Sequence, residues 1–263
     1  MSVLIRGPRA RAPGLSHIAD LRGEMKMDFD VLILGKGETY RDDRELEKAC
    51  LLVAGEVRFD YDGKTYAQAR SNCFDEPPTA LHVSKSTAVT LTALSETCEI
   101  DILRTDNGRD FESRLYLPGD TPDEFRGAGL MHGTSTRIVR TIFDYRNAPY
   151  ANLVLGEVIG FPGKWSSYPP HHHPQPEIYY YKTNPENGFA YAETGDTVHK
   201  VHNNDTVFIS PGDTHPQCTP PGYALWYLWA IRHLEGNPYG TPTFVPEYLW
   251  VQEKNAVYWG DDQ

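Results

Sequence analysis

Three histidines and one glutamate stand at spacings that suit a metal ion. The stretch WSSYPPHHHPQPEIYYYK carries His171 and His173. Residues two apart on an extended chain project to the same side. Glu177 opens the next apolar run, and SPGDTHP sets His215 just after a Pro-Gly turn. Three imidazoles and one carboxylate form a ligand set for one borderline divalent ion per chain, such as Zn, Mn, Fe, Co or Ni. A His-x-His pair alone would be a weak signal. The Glu four residues on and the later His after a turn make it a strong one. The HHH run is internal and flanked by strand-like sequence, so it is not a tag. His172 lies between the ligands and is expected to face away from the ion.

Such a cluster needs rigid elements to hold it. Hydrophobic residues make up 40% of the chain and charged residues 23%, which is globular rather than disordered composition. The 20 prolines, 22 glycines and 16 tyrosines point to short strands joined by tight turns. Alternating runs fall in two blocks. The first holds 29–34, 50–53, 56–61 and 88–94, with Asp62-Gly63 as a hairpin turn. The second holds 152–161, 177–182, 189–193, 205–209 and 225–231. A loop over about 105–136, rich in Gly, Asp and Arg, separates them. Residues 42–49 have almost no apolar face and read as a surface turn or exposed loop. The expected architecture is all-β, with two stacked barrels: residues 1–130 without a metal site and 131–263 holding the metal. His82, in the apolar context ALHVS, is expected to be structural, because a metal site needs convergent ligands.

The net charge of −11 and isoelectric point near 5.3 argue against nucleic-acid or anionic-membrane partners. An anionic small molecule remains compatible, since one local cation can reverse the field in a pocket. The basic stretch MSVLIRGPRARAPG is followed by no long apolar run, so no secretory signal is read there. The four cysteines, Cys50, Cys73, Cys98 and Cys218, show no CxxC pairing and suit reduced thiols. A cytoplasmic location and a homo-oligomer are expected.

Gly163, the His171-x-His173-xxx-Glu177 run and Pro211-Gly212-xx-His215 resemble the two motifs of the cupin superfamily. More narrowly, GTSTRIVRTI, GKWSSYPPHHH, EIYYYK, ENGFAY, THP and PPGYALWYL are similar to the 5-deoxy-glucuronate isomerase family of bacterial inositol breakdown, related to 5-keto-4-deoxyuronate isomerase. The resemblance implies a bicupin of two double-stranded β-helix (jelly-roll) barrels, with His171, His173, Glu177 and His215 as metal ligands. It departs from the family pattern at His172, where a Lys is usual. Pro174-Gln175-Pro176 also replaces a longer acidic loop, and the run after Gly222 differs.

The resemblance implies an aldose–ketose isomerase of an acidic sugar, converting 5-deoxy-glucuronate to 5-dehydro-2-deoxy-gluconate. Alternatives are an isomerase of another uronate, a sulfosugar or a hexose, an iron-dependent cupin dioxygenase, or a sugar-binding cupin without turnover. Isomerisation by an enediol route needs a base, and Glu157 is the candidate. It interrupts the apolar run LVLGEVIGF, where a carboxylate is rare unless it faces an interior. Tyr223, after a Pro-Pro-Gly turn, is a candidate donor to a substrate oxygen. Tyr179 and Tyr181 share the strand parity of Glu177 and are candidates to line the pocket, whereas Lys182 has the opposite parity. Arg232, Arg137 and Lys164 are candidates for the substrate carboxylate.

Overall fold

A computed structural model describes residues 2–261. The alternating runs become antiparallel strands. In the second half, a seven-stranded sheet runs in the order Val3–Ile5, Thr206–Ile209, Glu177–Asn184, Ala224–Arg232, Leu153–Gly160, Arg137–Phe143 and Glu124–Arg126. A four-stranded sheet contains Phe189–Thr194 and Gln217–Cys218, and the two-residue strand His171–His172 pairs with Thr243–Phe244. The first half forms a nine-stranded sheet around the long strand Glu47–Tyr61. Among the described residues the only helices are three short 3-10 turns, and no helix is long and apolar enough to cross a membrane. The all-β expectation is met. Asp62 and Gly63 form the hairpin turn with φ of 48° and 70°, the left-handed pair that a two-residue turn between twisted strands requires.

One expectation needs correction in part. Residues 43–45 are exposed, but Asp42 ends one strand, Glu47–Ala49 begin the long strand, and Asp42, Glu47 and Lys48 are buried. Their charges are met inside. Asp42 accepts from Arg104, and Lys48 donates to the carbonyls of Leu46 and Thr87. Glu47 accepts from Asn107 and from the backbone N–H groups of Asn152 and Leu153. A hydropathy pattern cannot register this, because it scores these residues as polar whatever their partners.

Strands also cross the line drawn near residue 130. Val3–Ile5 pairs with Thr206–Ile209, and Glu124–Arg126 pairs with Arg137–Phe143, so both strands belong to the second sheet. One core also runs across the halves, joining Phe29, Leu51 and Leu103 to Leu155, Ile178 and Trp226. Burial of such side chains contributes about 1.5–3 kcal/mol each. All four cysteines are free thiols, three of them buried.

Candidate metal centre and its cavity

The Glu177–Asn184 strand sits between Thr206–Ile209 and Ala224–Arg232, with Glu177 opposite Ile209 on one side and Ile231 on the other. This central position fixes the Glu177 carboxylate. His173 precedes the strand, and Gly212 N–H donates to the His173 carbonyl at 2.9 Å, tying the turn that carries His215 to the first ligand run. Gly212 has φ of 89°, a conformation open to glycine at no steric cost.

Each histidine is oriented by its own backbone. His171 Nδ1 lies 3.0 Å from the Pro169 carbonyl, His173 Nδ1 3.0 Å from that of Gln175, and His215 Nδ1 3.0 Å from that of Asp213. A carbonyl only accepts, so each Nδ1 carries the proton and each Nε2 presents a lone pair. Glu177 Oε2 lies 3.1 Å from His173 Nε2 and 3.4 Å from His215 Nε2. Acceptors thus converge with no proton between them. Burial lowers His215 to about 3 and His171 to about 4, which keeps these imidazoles neutral. A divalent cation would satisfy such a set of lone pairs, and the donor types suit one.

The ligand atoms of His173, Glu177 and His215 all lie within 4.8 Å of one another. His171 stands beside them, its ring centroid 4.7 Å from that of His215. A second group, His17, Asp20 and Asp28, has suitable atom types. Its atoms are engaged locally: His17 with Asp30, Asp20 with the Arg22 N–H, and Asp28 with the Leu21 N–H and Arg44.

The cluster opens into a cavity of about 320 Å³ whose wall includes Arg137, Tyr179 and Tyr239. Of the residues expected here from sequence, Tyr179 and Arg137 are present. Tyr179 hydroxyl lies 3.1 Å from Ser167 Oγ. Arg137 Nη1 donates to the Ser135 carbonyl at 3.0 Å, and its buried Nε has no partner. Tyr181 shares the face but lies deeper, donating to Gln217 Oε1 at 2.9 Å.

The others lie elsewhere. Arg232 bonds Thr105 and Asp106 in a separate cleft beside His233. Tyr223 packs near Phe189, and Lys164 and Tyr223 are absent from the cavity wall. His172 also faces away, its backbone opposite Thr243. Lys182 points from the cavity but not into solvent; its Nζ lies 2.6 Å from Glu99 of the first half.

Glu157 is fully buried, as expected, but not in this cavity. Val158 lines the cavity, so its neighbour Glu157 points to the opposite face of the sheet. There Oε1 accepts from Arg70 at 2.7 Å and from Arg140 at 2.8 Å. A carboxylate bonded to two guanidiniums is a structural link between the halves, not a free base. His82 is also structural: it contacts Glu47 at 2.9 Å and stacks on Phe143 at 4.2 Å.

Sequence reasoning missed Tyr239, Arg126, Trp229 and Phe244, which all line the cavity. Tyr239 packs edge-on to His173 with centroids 4.9 Å apart, and its N–H donates to His233 Nδ1 at 2.8 Å. Burial, reinforced by Glu177, pushes its phenol well above the ordinary value, so it is a neutral hydroxyl.

The KduI/IolB family model matches residues 7–251. The chain belongs to the KduI/IolB family. A protein named 5-deoxy-glucuronate isomerase from Geobacillus kaustophilus is 30% identical over 250 residues, covering 87% of each chain. One of the same name from Bacillus licheniformis is 27% identical, covering 97% of this chain and all of that one (100%). Among solved structures, an IolB-like protein from Salmonella typhimurium superposes with a TM-score of 0.82 at 24% identity, covering 92% of this chain and 97% of that one. Oxalate decarboxylase from Lactobacillus farciminis shares the fold at a TM-score of 0.63 and 12% identity, covering 91% and 86%. The KduI/IolB chain described here is thus a member of a family of sugar isomerases.

Proposed function

We propose that this protein is a metal-dependent aldose–ketose isomerase of an acidic sugar, converting 5-deoxy-glucuronate to 5-dehydro-2-deoxy-gluconate. The observation that carries the reading is the convergence of Nε2 of His173, Nε2 of His215 and Oε2 of Glu177 at the floor of a small cavity. We take His171 as the fourth ligand and read the chain as a bicupin whose second half holds the ion. The relatives named 5-deoxy-glucuronate isomerase support the substrate.

His171, His173, Glu177 and His215 would hold a divalent ion, which would supply Lewis acidity for polarising the sugar carbonyl. The chain's residues do the rest. The cavity's size suits one small sugar, and its wall mixes apolar and polar groups, as ligand pockets do. Tyr239 sets a neutral phenol against the ligand cluster, where it can donate to a substrate oxygen. Tyr179 and Ser167 offer a second hydroxyl pair.

The test is proton NMR of purified protein, with bound metal measured by elemental analysis, incubated with 5-deoxy-glucuronate. Loss of the aldehyde signal and appearance of the ketose are expected, with no oxygen consumed. Oxygen uptake, or no conversion by metal-replete protein, would overturn the reading.

A further inference from the structure

Arg137 is a half-buried cation that meets no carboxylate. It lines the cavity, forms no ion pair among the described residues, and its Nε has no hydrogen-bond partner. By contrast, the fully buried guanidiniums among the described residues all meet carboxylates: Arg70 and Arg140 meet Glu157, and Arg104 meets Asp30 and Asp42. Removing a charge from water without pairing it is costly, and this chain, with a net charge of −11, has acidic groups to spare.

A second arginine faces it. Arg126 and Arg137 are directly opposed on neighbouring antiparallel strands, and both line the cavity. Like charges in direct register repel. Arg126 is partly offset by Glu124, which it meets at 2.8 Å on the exposed side. The backbone is shaped around the pair. Gly127, at φ of 75°, would place a Cβ 2.9 Å from Arg137 Nη1 and 2.5 Å from the Ser135 carbonyl that holds this nitrogen. Only a residue without a side chain leaves the guanidinium where it is. Trp229 Nε1, another buried N–H among the cavity residues, likewise lacks an acceptor.

We propose that Arg137, with Arg126 at the mouth, forms a carboxylate-binding subsite that selects sugar acids over neutral sugars. The inference rests on the isomerase reading for the identity of the ligand as a sugar. Arg137 lies three strands from Glu177 in the sheet and, through Gly160 and Leu225, is in register with Thr183, so its backbone stands well apart from that of Glu177. Side chains reach in from both strands, so the terminal carboxylate is held apart from the ligand cluster. The guanidinium fork takes both carboxylate oxygens and orients the remaining carbons toward His173, Glu177 and His215.

The experiment is calorimetric titration of zinc-loaded protein with D-glucuronate and, separately, D-glucose. Wild type should bind glucuronate at least roughly tenfold tighter, the usual worth of a charge-assisted hydrogen bond. Arg137→Met should remove that preference while leaving glucose binding and zinc content unchanged. Arg137→Lys should keep part of it. Equal binding of the two sugars by wild type overturns the subsite, as does equal weakening of both in Arg137→Met. Should Arg137→Met not fold, exposed Arg126 serves: Arg126→Ala should weaken glucuronate alone, and an unchanged glucuronate affinity overturns the paired site. Selective binding without aldose-to-ketose turnover would sink the isomerase reading and spare the subsite. Turnover without carboxylate preference would do the reverse.

Discussion

His215 contributes one of the convergent lone pairs, and its removal leaves Glu177 facing His173 alone. His215→Ala should therefore lower metal affinity by more than the roughly 10–100-fold that loss of an outer-shell partner costs. His172→Ala should leave metal content unchanged, because that side chain does not line the cavity. Elemental analysis after dialysis reads both, and equal metal in wild type and His215→Ala would refute the assignment. The cluster itself was legible because three of its residues lie within seven positions of one another and the fourth follows a turn signal. Tyr239 was not legible. It stands in the irregular run GNPYGTP and reaches the cavity only because its N–H bonds to His233. The carbonyl partners of the three Nδ1 atoms were equally hidden, since backbone acceptors carry no sequence signature.

At the scale of elements, the strand Leu153–Gly160 shows what parity can and cannot say. A glutamate amid LVLGEVIGF had to be buried, and Glu157 is. Parity does not say which side of the sheet is the cavity, and its partners Arg70 and Arg140 lie on other strands or loops. Glu157→Ala would leave buried Arg70 without a carboxylate and Arg140 with Asp123 alone, and should cost about 3–5 kcal/mol of stability. Turnover per folded molecule should stay near that of wild type. Urea unfolding beside a rate measurement separates these effects, and a fully stable but inactive variant would restore Glu157 as a catalytic group.

The end of the Ala224–Arg232 strand carries a second consequence. Burial lowers the adjacent His233 to about 4. The unfolded chain takes up that proton near pH 6.5, the folded chain only near 4. The unfolded state thus binds more protons in this window, and stability falls as pH drops through it. His233→Gln should flatten that slope, measured as the urea midpoint at pH 7 against pH 5. An unchanged slope would show that His233 is not the titrating group.

For the whole molecule, the two alternating blocks and a shared interface between them were readable in sequence, but the strands that cross from one to the other were not. Periodicity reports which face of a strand is apolar and is silent on which distant strand covers it. Here one core spans both halves, and the first half lends Val3–Ile5 and Glu124–Arg126 to the second sheet. Separate expression of residues 1–130 and 131–263 should give insoluble chains, because each exposes the apolar surface of the shared core. Two soluble, cooperatively unfolding fragments would contradict this. The pairing of Val3 with Phe208 also has a meaning in time. Strand contacts between residues so distant along the chain form late, after the intervening loop has been closed by other contacts. Until then the strand Thr206–Ile209, immediate neighbour of the one bearing Glu177, is an open edge able to pair with another copy. The refolding yield of this enzyme should therefore fall steeply with concentration, set by how soon a three-residue strand arrives to close that edge.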